Sequence, residues 1–253
     1  MLQLAKPSVV ETVSAAVATA GPQTAFERGN SPVYTMIVGG YVAVIVISIG
    51  AAAKFISVGP FTLSGATLIW PMTFVFNDIF SEVYGYERSR RIIWTGLAVQ
   101  AFTAFAYWLV DVFPGAPFWH DQAAFSTILG QAPRLVASCL ICYLCGEWVN
   151  SVTISKMKFM QRGRRGLDQA MRFMASTALG ELVDTVIFFP LAFYGVVPTM
   201  DLIHTMICIY FAKLIYEFLS LPWSTRIANH IKKLEGLDVI DDPETTNYSL
   251  VMT

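Results

Sequence analysis

The sequence predicts an all-α, polytopic membrane protein with six transmembrane helices. Of its 253 residues, 55% are hydrophobic and only 14% are charged, against about 25% charged in soluble domains, and the mean hydropathy is +0.55. Apolar runs of about 20 residues, the length that crosses a bilayer as a helix, recur along the chain. Arginine and lysine cluster in some of the connections between these runs and are sparse in the others, as membrane topology requires. A net charge of -1, with no basic patch beyond those clusters, argues against direct nucleic-acid binding.

Residues 1–32 form a cytosolic N-terminal tail. Lys6, Glu11, Glu27 and Arg28 interrupt a weak Ala/Val/Thr-rich stretch that lacks the basic start and apolar core of a signal peptide. The transmembrane domain, 33–222, contains spans at 33–53, 61–84, 92–113, 126–152, 167–193 and 202–221. Pro60, Pro114, Pro117, Pro198 and Pro222 punctuate their ends, and Pro71, inside the second, is expected to kink it. Residues 223–253 form a cytosolic C-terminal tail. Arg88, Arg90 and Arg91 follow the second span, Lys156, Lys158, Arg162, Arg164 and Arg165 the fourth, and Lys232 and Lys233 the sixth. The positive-inside rule therefore places both termini in the cytoplasm. Trp119 and Trp223 sit near span ends as interfacial belt residues, whereas Trp148 stands beside Glu147 inside the fourth span.

Metal, cofactor and enzyme readings find little support. Cys139, Cys142 and Cys145 fall at helical spacing in an apolar segment with no His or fourth Cys beside them, so they read as small polarizable residues at a helix interface. His120, His204 and His230 are too scattered for a paired-His metalloprotease helix. No metal and no cofactor is expected, and catalysis is the weaker functional class.

The interior charges carry the functional signal. Asp78 and Glu82 lie on the second span, Arg134, Glu147 and Asn150 on the fourth, Arg172, Glu181 and Asp184 on the fifth, and Lys213 and Glu217 on the sixth. Each ionised residue facing lipid costs about 2.5–3.5 kcal/mol, so such residues face the bundle interior and mark a substrate or ion path. Helical spacing gathers them into faces: Asp78, Ser81 and Glu82; Glu147 and Asn150; Glu181, Asp184 and Phe188. Lys213 and Glu217, four apart, read equally as a local ion pair. The central acids Glu147, Glu181, Asp184 and Glu217 outnumber the central bases Lys213 and Arg134. Either some acids are neutral, the form that burial favours, or a donor-rich ligand compensates them.

The same residues resemble a family. Asp78-Ile-Phe-Ser-Glu82-Val-Tyr84-Gly85-Tyr-Glu-Arg-Ser-Arg90-Arg91, then Arg134-Leu-Val-Ala-Ser138, Glu147-Trp-Val-Asn150-Ser, Lys156-Met-Lys158 and Ser176-Thr-Ala-Leu-Gly180-Glu181-Leu-Val-Asp184-Thr185 are similar, in that order, to the motifs of the queuosine precursor transporters, also called the vitamin uptake transporter family. The resemblance spans about 33–221. It implies a multi-pass protein of the bacterial inner membrane, similar in architecture to the substrate-binding components of energy-coupling-factor transporters. It also implies import of 7-cyano- or 7-aminomethyl-7-deazaguanine for tRNA modification.

A deazaguanine presents a ring NH and an exocyclic amine that one carboxylate accepts together, and an O6 that needs a donor. Asp184 or Glu181 is assigned to the donor edge, and Asn150, Asn77 or Lys213 to the acceptor side. Trp148, Phe188 and Tyr84 are stacking candidates, while Glu147 orients a neighbour or reads the substituent at position 7. Asp78 and Glu82, just before Arg88, Arg90 and Arg91, are expected to pair with those arginines as an inner gate or clamp; Arg134 and Glu217 join this gate or structural group. The alternatives are a binding subunit that needs an ATP-driven partner, since the chain has no phosphate-binding loop, and a membrane enzyme. Gly39 and Ala43, like Ser48 and Ala52, have the small-xxx-small spacing of helix packing or self-association, which leaves a homo-oligomer open.

Overall fold

The computed structural model describes residues 31–58, 61–130 and 133–251. The N-terminal tail expected at 1–32 therefore lies almost wholly outside the described residues. Helix α1 (Pro32–Ala51) is followed by strands β1 (Phe55–Val58) and β2 (Phe61–Ser64), a 3-10 turn (Gly65–Leu68), α2 (Pro71–Tyr84), α3 (Tyr86–Val112), α4 (Gln122–Leu129), α5 (Pro133–Met160), α6 (Leu167–Phe193) and α7 (Thr199–Glu235). Among the described residues, five helical segments are long and apolar enough to cross a membrane. The 14-residue α2, about 21 Å long at the helical rise, is the sixth and does not span a ~30 Å hydrocarbon core by itself.

The second expected span is the element most changed. Two short runs rich in aromatic and β-branched residues pair as an antiparallel hairpin, Phe55 opposite Ser64 and Val58 opposite Phe61. Gly65 closes the hairpin against the end of α1, where an added Cβ would lie 2.6 Å from the Ala51 carbonyl. Pro71 does not kink a helix. It occupies the first turn of α2, where its missing N–H costs nothing.

The sixth helix also departs from expectation, because Pro222 lies inside α7, which continues to Glu235. The hydroxyls of Ser224 and Thr225 bond the Leu221 carbonyl at 3.2 and 2.7 Å. Ser224, Ala228, Ile231, Lys232 and Glu235 form one buried face at helical spacing. Gly236, at φ 66°, ends the helix in the left-handed conformation that glycine accepts.

Two contacts set the bundle's geometry. Helices α5 and α6 cross where Gly146 meets Gly180: a Cβ on Gly146 would stand 3.0 Å from the Gly180 carbonyl, and one on Gly180 2.9 Å from that of Gly146. Small residues allow this backbone approach, and it places Glu147 and Asn150 beside Glu181 and Asp184. At one end of the bundle, Ser31 caps α1 by accepting from the Tyr34 amide at 3.0 Å, and its hydroxyl also donates to Glu235 at the end of α7. The buried apolar cluster sits toward this end and includes Tyr41, Ile45, Phe80, Tyr143, Phe173 and Ala228. Large apolar side chains such as Phe102, Phe105, Phe211 and Phe218 are exposed on the outer faces, as lipid-facing positions should be. Gly39 and Ala43 face outward on α1, whereas Ser48 is buried.

The C-terminal tail does not hang free. Gly85, at φ 81°, is the single residue between α2 and α3, and an added Cβ would lie 2.7 Å from Val239 and 2.8 Å from Asp241. Here both the positive φ and the close approach require glycine. The Tyr86 amide and the Ser155 hydroxyl donate to Asp241 at 2.9 and 2.7 Å, and Arg90 donates to the Ser249 carbonyl at 2.8 Å.

Candidate functional site

The centre of the bundle is a layer of polar side chains around the α5–α6 crossing. Lys213 on α7 bridges two acids of α6, with Nζ 2.5 Å from Glu181 Oε2 and 2.7 Å from Asp184 Oδ2. The expected Lys213–Glu217 pair is therefore not formed, because the acids of the neighbouring helix take the ammonium instead. On α2, Asn77 donates to the Glu147 backbone carbonyl at 2.8 Å and accepts from Ser89 at 2.5 Å. Asp78 accepts from Asn150 at 2.8 Å and from Thr177 at 3.4 Å.

What the layer lacks is donors. Both carboxyl oxygens of Glu147 and of Glu217 are buried without a hydrogen-bond partner among the described residues, as are Glu181 Oε1, Asp184 Oδ1, Asn150 Oδ1 and Thr185 Oγ1. Glu147 and Glu181 are fully buried, and Glu217 is 1% exposed. Among the described residues Lys213 is the one cation bonded to these acids, so the centre holds a surplus of buried acceptors and negative charge, which a packed protein does not ordinarily leave unmet. A group bringing several N–H donors, or positive charge, fits it.

Arg134 is not a central base. It is exposed at the start of α5 and donates to the Leu191 and Tyr194 carbonyls at 2.6 and 2.8 Å. Two cavities stand away from the centre: about 550 Å³ on the outer face of α3 beside Arg91, Trp94 and Phe102, and about 230 Å³ beside Tyr107, Asp111 and Gly130.

Glu82 belongs to a second layer, at the Gly85 end. Arg172 on α6 holds it with a fork, Nε at 2.7 Å and Nη2 at 2.5 Å, and Lys232 on α7 adds a third bond at 2.5 Å. Lys158 donates to the Glu82 and Val239 carbonyls at 2.6 and 2.5 Å, and Lys158 and Lys232 share Asp238 at 2.6 and 2.7 Å. The expectation that Asp78 and Glu82 pair with Arg88, Arg90 and Arg91 is corrected. The reversal at Gly85 turns α3 away, so Glu82 faces α6 and α7 and Asp78 faces α5 and α6. Arg90 binds C-terminal carbonyls, Arg91 is exposed, and Arg88 is half-buried near Tyr34 and Tyr84.

The stacking candidates do not converge on the centre. Trp148 points away from Glu147 and donates to Tyr86 at 3.0 Å and to the Tyr248 carbonyl at 3.2 Å, because neighbouring helix positions lie about 100° apart. Tyr84 packs on Tyr34, 5.0 Å between ring centroids. Phe188 packs on Phe189 and Phe193, toward the other end of α6. Lys158 and Lys232, read in the sequence as topology charges, are 1% and 3% exposed. Their spacing from Ser151 and Ser155, and from Ser224 and Ala228, was the available signal.

A profile of the family described as "Putative vitamin uptake transporter" matches residues 64–227. The chain belongs to the vitamin uptake transporter family. This transporter is also similar to the "Probable queuosine precursor transporter" of Bacillus subtilis (strain 168), with 27% identity over 163 residues, covering 64% of this chain and 70% of the relative. No solved structure matches the transporter at a comparable level. The matched segment takes in the central polar layer and Glu82, Lys158 and Arg172 of the second, and leaves out α1, Lys232 and the C-terminal strap that carries Asp238.

Outside the membrane-spanning segments, Asp238 is the strap's main ionic tie. Burial opposes its ionisation, but hydrogen bonds and positive charge from Lys158 and Lys232 outweigh this and hold the carboxyl below its ordinary 3.8. A depressed folded-state value means that the stabilisation is complete above the unfolded value and is lost as pH falls through the folded one. Acidification below about pH 4 is thus expected to loosen residues 237–251, read as faster hydrogen exchange there. Asp238→Asn should show that loosening already at pH 7 and lose this part of the acid response. Superimposable profiles for the two proteins would remove Asp238 from the role.

Proposed function

We propose that this transporter imports 7-deazaguanine precursors of queuosine across the bacterial inner membrane. The observation that carries the reading is the set of donor-poor acceptors on Glu147, Glu181 and Asp184. The ring NH and exocyclic amine of a deazaguanine would bond Asp184 Oδ1 or Glu181 Oε1, and Lys213, with one of its three N–H groups uncommitted by the two carboxylates, would serve O6. Glu147 would accept from the substituent at position 7, where an aminomethyl group brings a cation and a nitrile does not. Asn77 and Asn150 act by fixing α2 against α5. Trp148, Tyr84 and Phe188 have no stacking role in this arrangement. The name of the Bacillus subtilis relative, a probable queuosine precursor transporter, supports the same substrate class.

The centre is closed in this structure, so admission requires the helices to part. The layer of Glu82, Arg172, Lys158 and Lys232, with the strap, would form the cytoplasmic gate; both termini then lie in the cytoplasm. The test is uptake. Cells that cannot make the precursor but retain the later steps should regain queuosine in tRNA when this chain is expressed and 7-cyano- or 7-aminomethyl-7-deazaguanine is supplied. Absence of rescue despite membrane expression would refute the substrate.

A further inference from the structure

Asp78 and Glu217 form a pair of acids that deazaguanine recognition leaves unused. They lie on α2 and α7, which pack against each other, and both are buried. Glu181 is the other charged group acting on Glu217, from α6, and Tyr216 stands next to it on α7. From α5, Glu147 acts on Asp78. Lys213, one turn away on α7, is bonded to Glu181 and Asp184, and Arg172 and Lys232 are bonded to Glu82. No cation among the described residues is bonded to either acid of the pair.

The two members differ in hydrogen bonding. Asp78 accepts from Asn150 and Thr177. Glu217 accepts nothing on either oxygen. The Asn150 amide supplies an independent mark of what is missing: its nitrogen is bonded to Asp78 while its buried Oδ1 has no donor. A carboxyl buried in a low-dielectric interior with neither a cation nor a hydrogen-bond donor on its oxygens holds its proton, so Glu217 carries an O–H.

We infer that Glu217 is a proton-binding site through which transport is coupled to proton movement. The step is a proton transfer alone. A carboxylate oxygen of Glu217 takes a proton from water on one side of the membrane, forming an O–H bond, and returns it to water on the other after the helices have moved; nothing is oxidised or reduced. The inference rests on the chain being a transporter and not on which heterocycle it carries.

Infrared difference spectra of the wild-type protein in membranes, recorded across a pH titration, are expected to contain the carbonyl stretch of a protonated carboxyl. Glu217→Gln, which keeps the shape of the neutral acid, should remove the component of that band that belongs to Glu217. An unchanged band in the variant overturns the site, whatever the substrate. In proteoliposomes, a one-unit inward proton gradient should raise wild-type accumulation of labelled 7-aminomethyl-7-deazaguanine about tenfold if one proton moves per substrate. Glu217→Gln should keep exchange of labelled for unlabelled substrate and lose this accumulation. Wild-type exchange without any response to the gradient overturns coupling and leaves the substrate standing. Absence of exchange in the wild type refutes the substrate instead, and the infrared measurement still decides the proton site.

Discussion

Asp184→Ala is expected to abolish uptake while the protein still inserts in the membrane. Asp184 has one oxygen on Lys213 at 2.7 Å and the other without a partner, so it both aims the ammonium and offers a free acceptor. Alanine removes both functions. A buried donor of the substrate left unpaired costs about 1–3 kcal/mol, and more where charge is involved; this corresponds to roughly five- to more than a hundredfold in affinity. Lys213 would also swing onto Glu181 alone and cease to be fixed for the acceptor side. Asp184→Asn separates the two effects, since it keeps an oxygen of similar reach without the charge, and it should retain partial uptake. Labelled substrate uptake normalised to membrane-inserted protein is the measurement, and wild-type uptake in the alanine variant would take Asp184 out of the site.

The sequence disclosed the fold class and the composition of the polar centre because both follow from local signals. Apolar runs of bilayer length mark helices wherever they lie, and 167–193 coincides with α6, Leu167–Phe193. The residues now around the α5–α6 crossing were legible because Glu147 with Asn150, and Glu181 with Asp184, share helical faces. Partners across helices were not legible. Nothing in the spacing tells Glu82 to take Arg172, 90 positions away, in preference to Arg88, since that choice depends on the direction in which the chain leaves Gly85.

Competing local signals account for the other departures. Gly59-Pro60 between two short β-branched and aromatic runs marks a hairpin, but in the sequence it was outweighed by the hydropathy of 61–84. Proline usually ends a helix, which is the local signal at Pro222, yet the buried face from Ser224 to Glu235 carries the helix past it. Trp148 shows the limit of adjacency: it neighbours Glu147 in sequence and faces another direction.

The second large effect expected is on stability, at Arg172. The side chain is fully buried, and it makes four hydrogen bonds, two to Glu82, one to Gln161 at 3.0 Å and one to the Arg164 carbonyl at 2.7 Å. It thereby joins α2 to α6 and to the turn after α5. Arg172→Ala leaves Glu82 with Lys232 alone and strands two further acceptors. Breaking a buried charge pair from one side costs about 3–5 kcal/mol, a large share of the roughly 5–15 kcal/mol that holds a typical domain folded. The variant should lose most of its thermal stability in detergent, read as a fall in Tm and in folded yield. Arg172→Lys should recover little, because an ammonium cannot reproduce the planar fork that meets both carboxylate oxygens. The combined variant Glu82→Leu, Arg172→Met should be less damaged than either single change: it removes both buried charges together, and Lys232 still has Asp238 at 2.7 Å. A wild-type Tm for Arg172→Ala would mean that the layer contributes no net stability, and its retention would then have to be explained by gating alone.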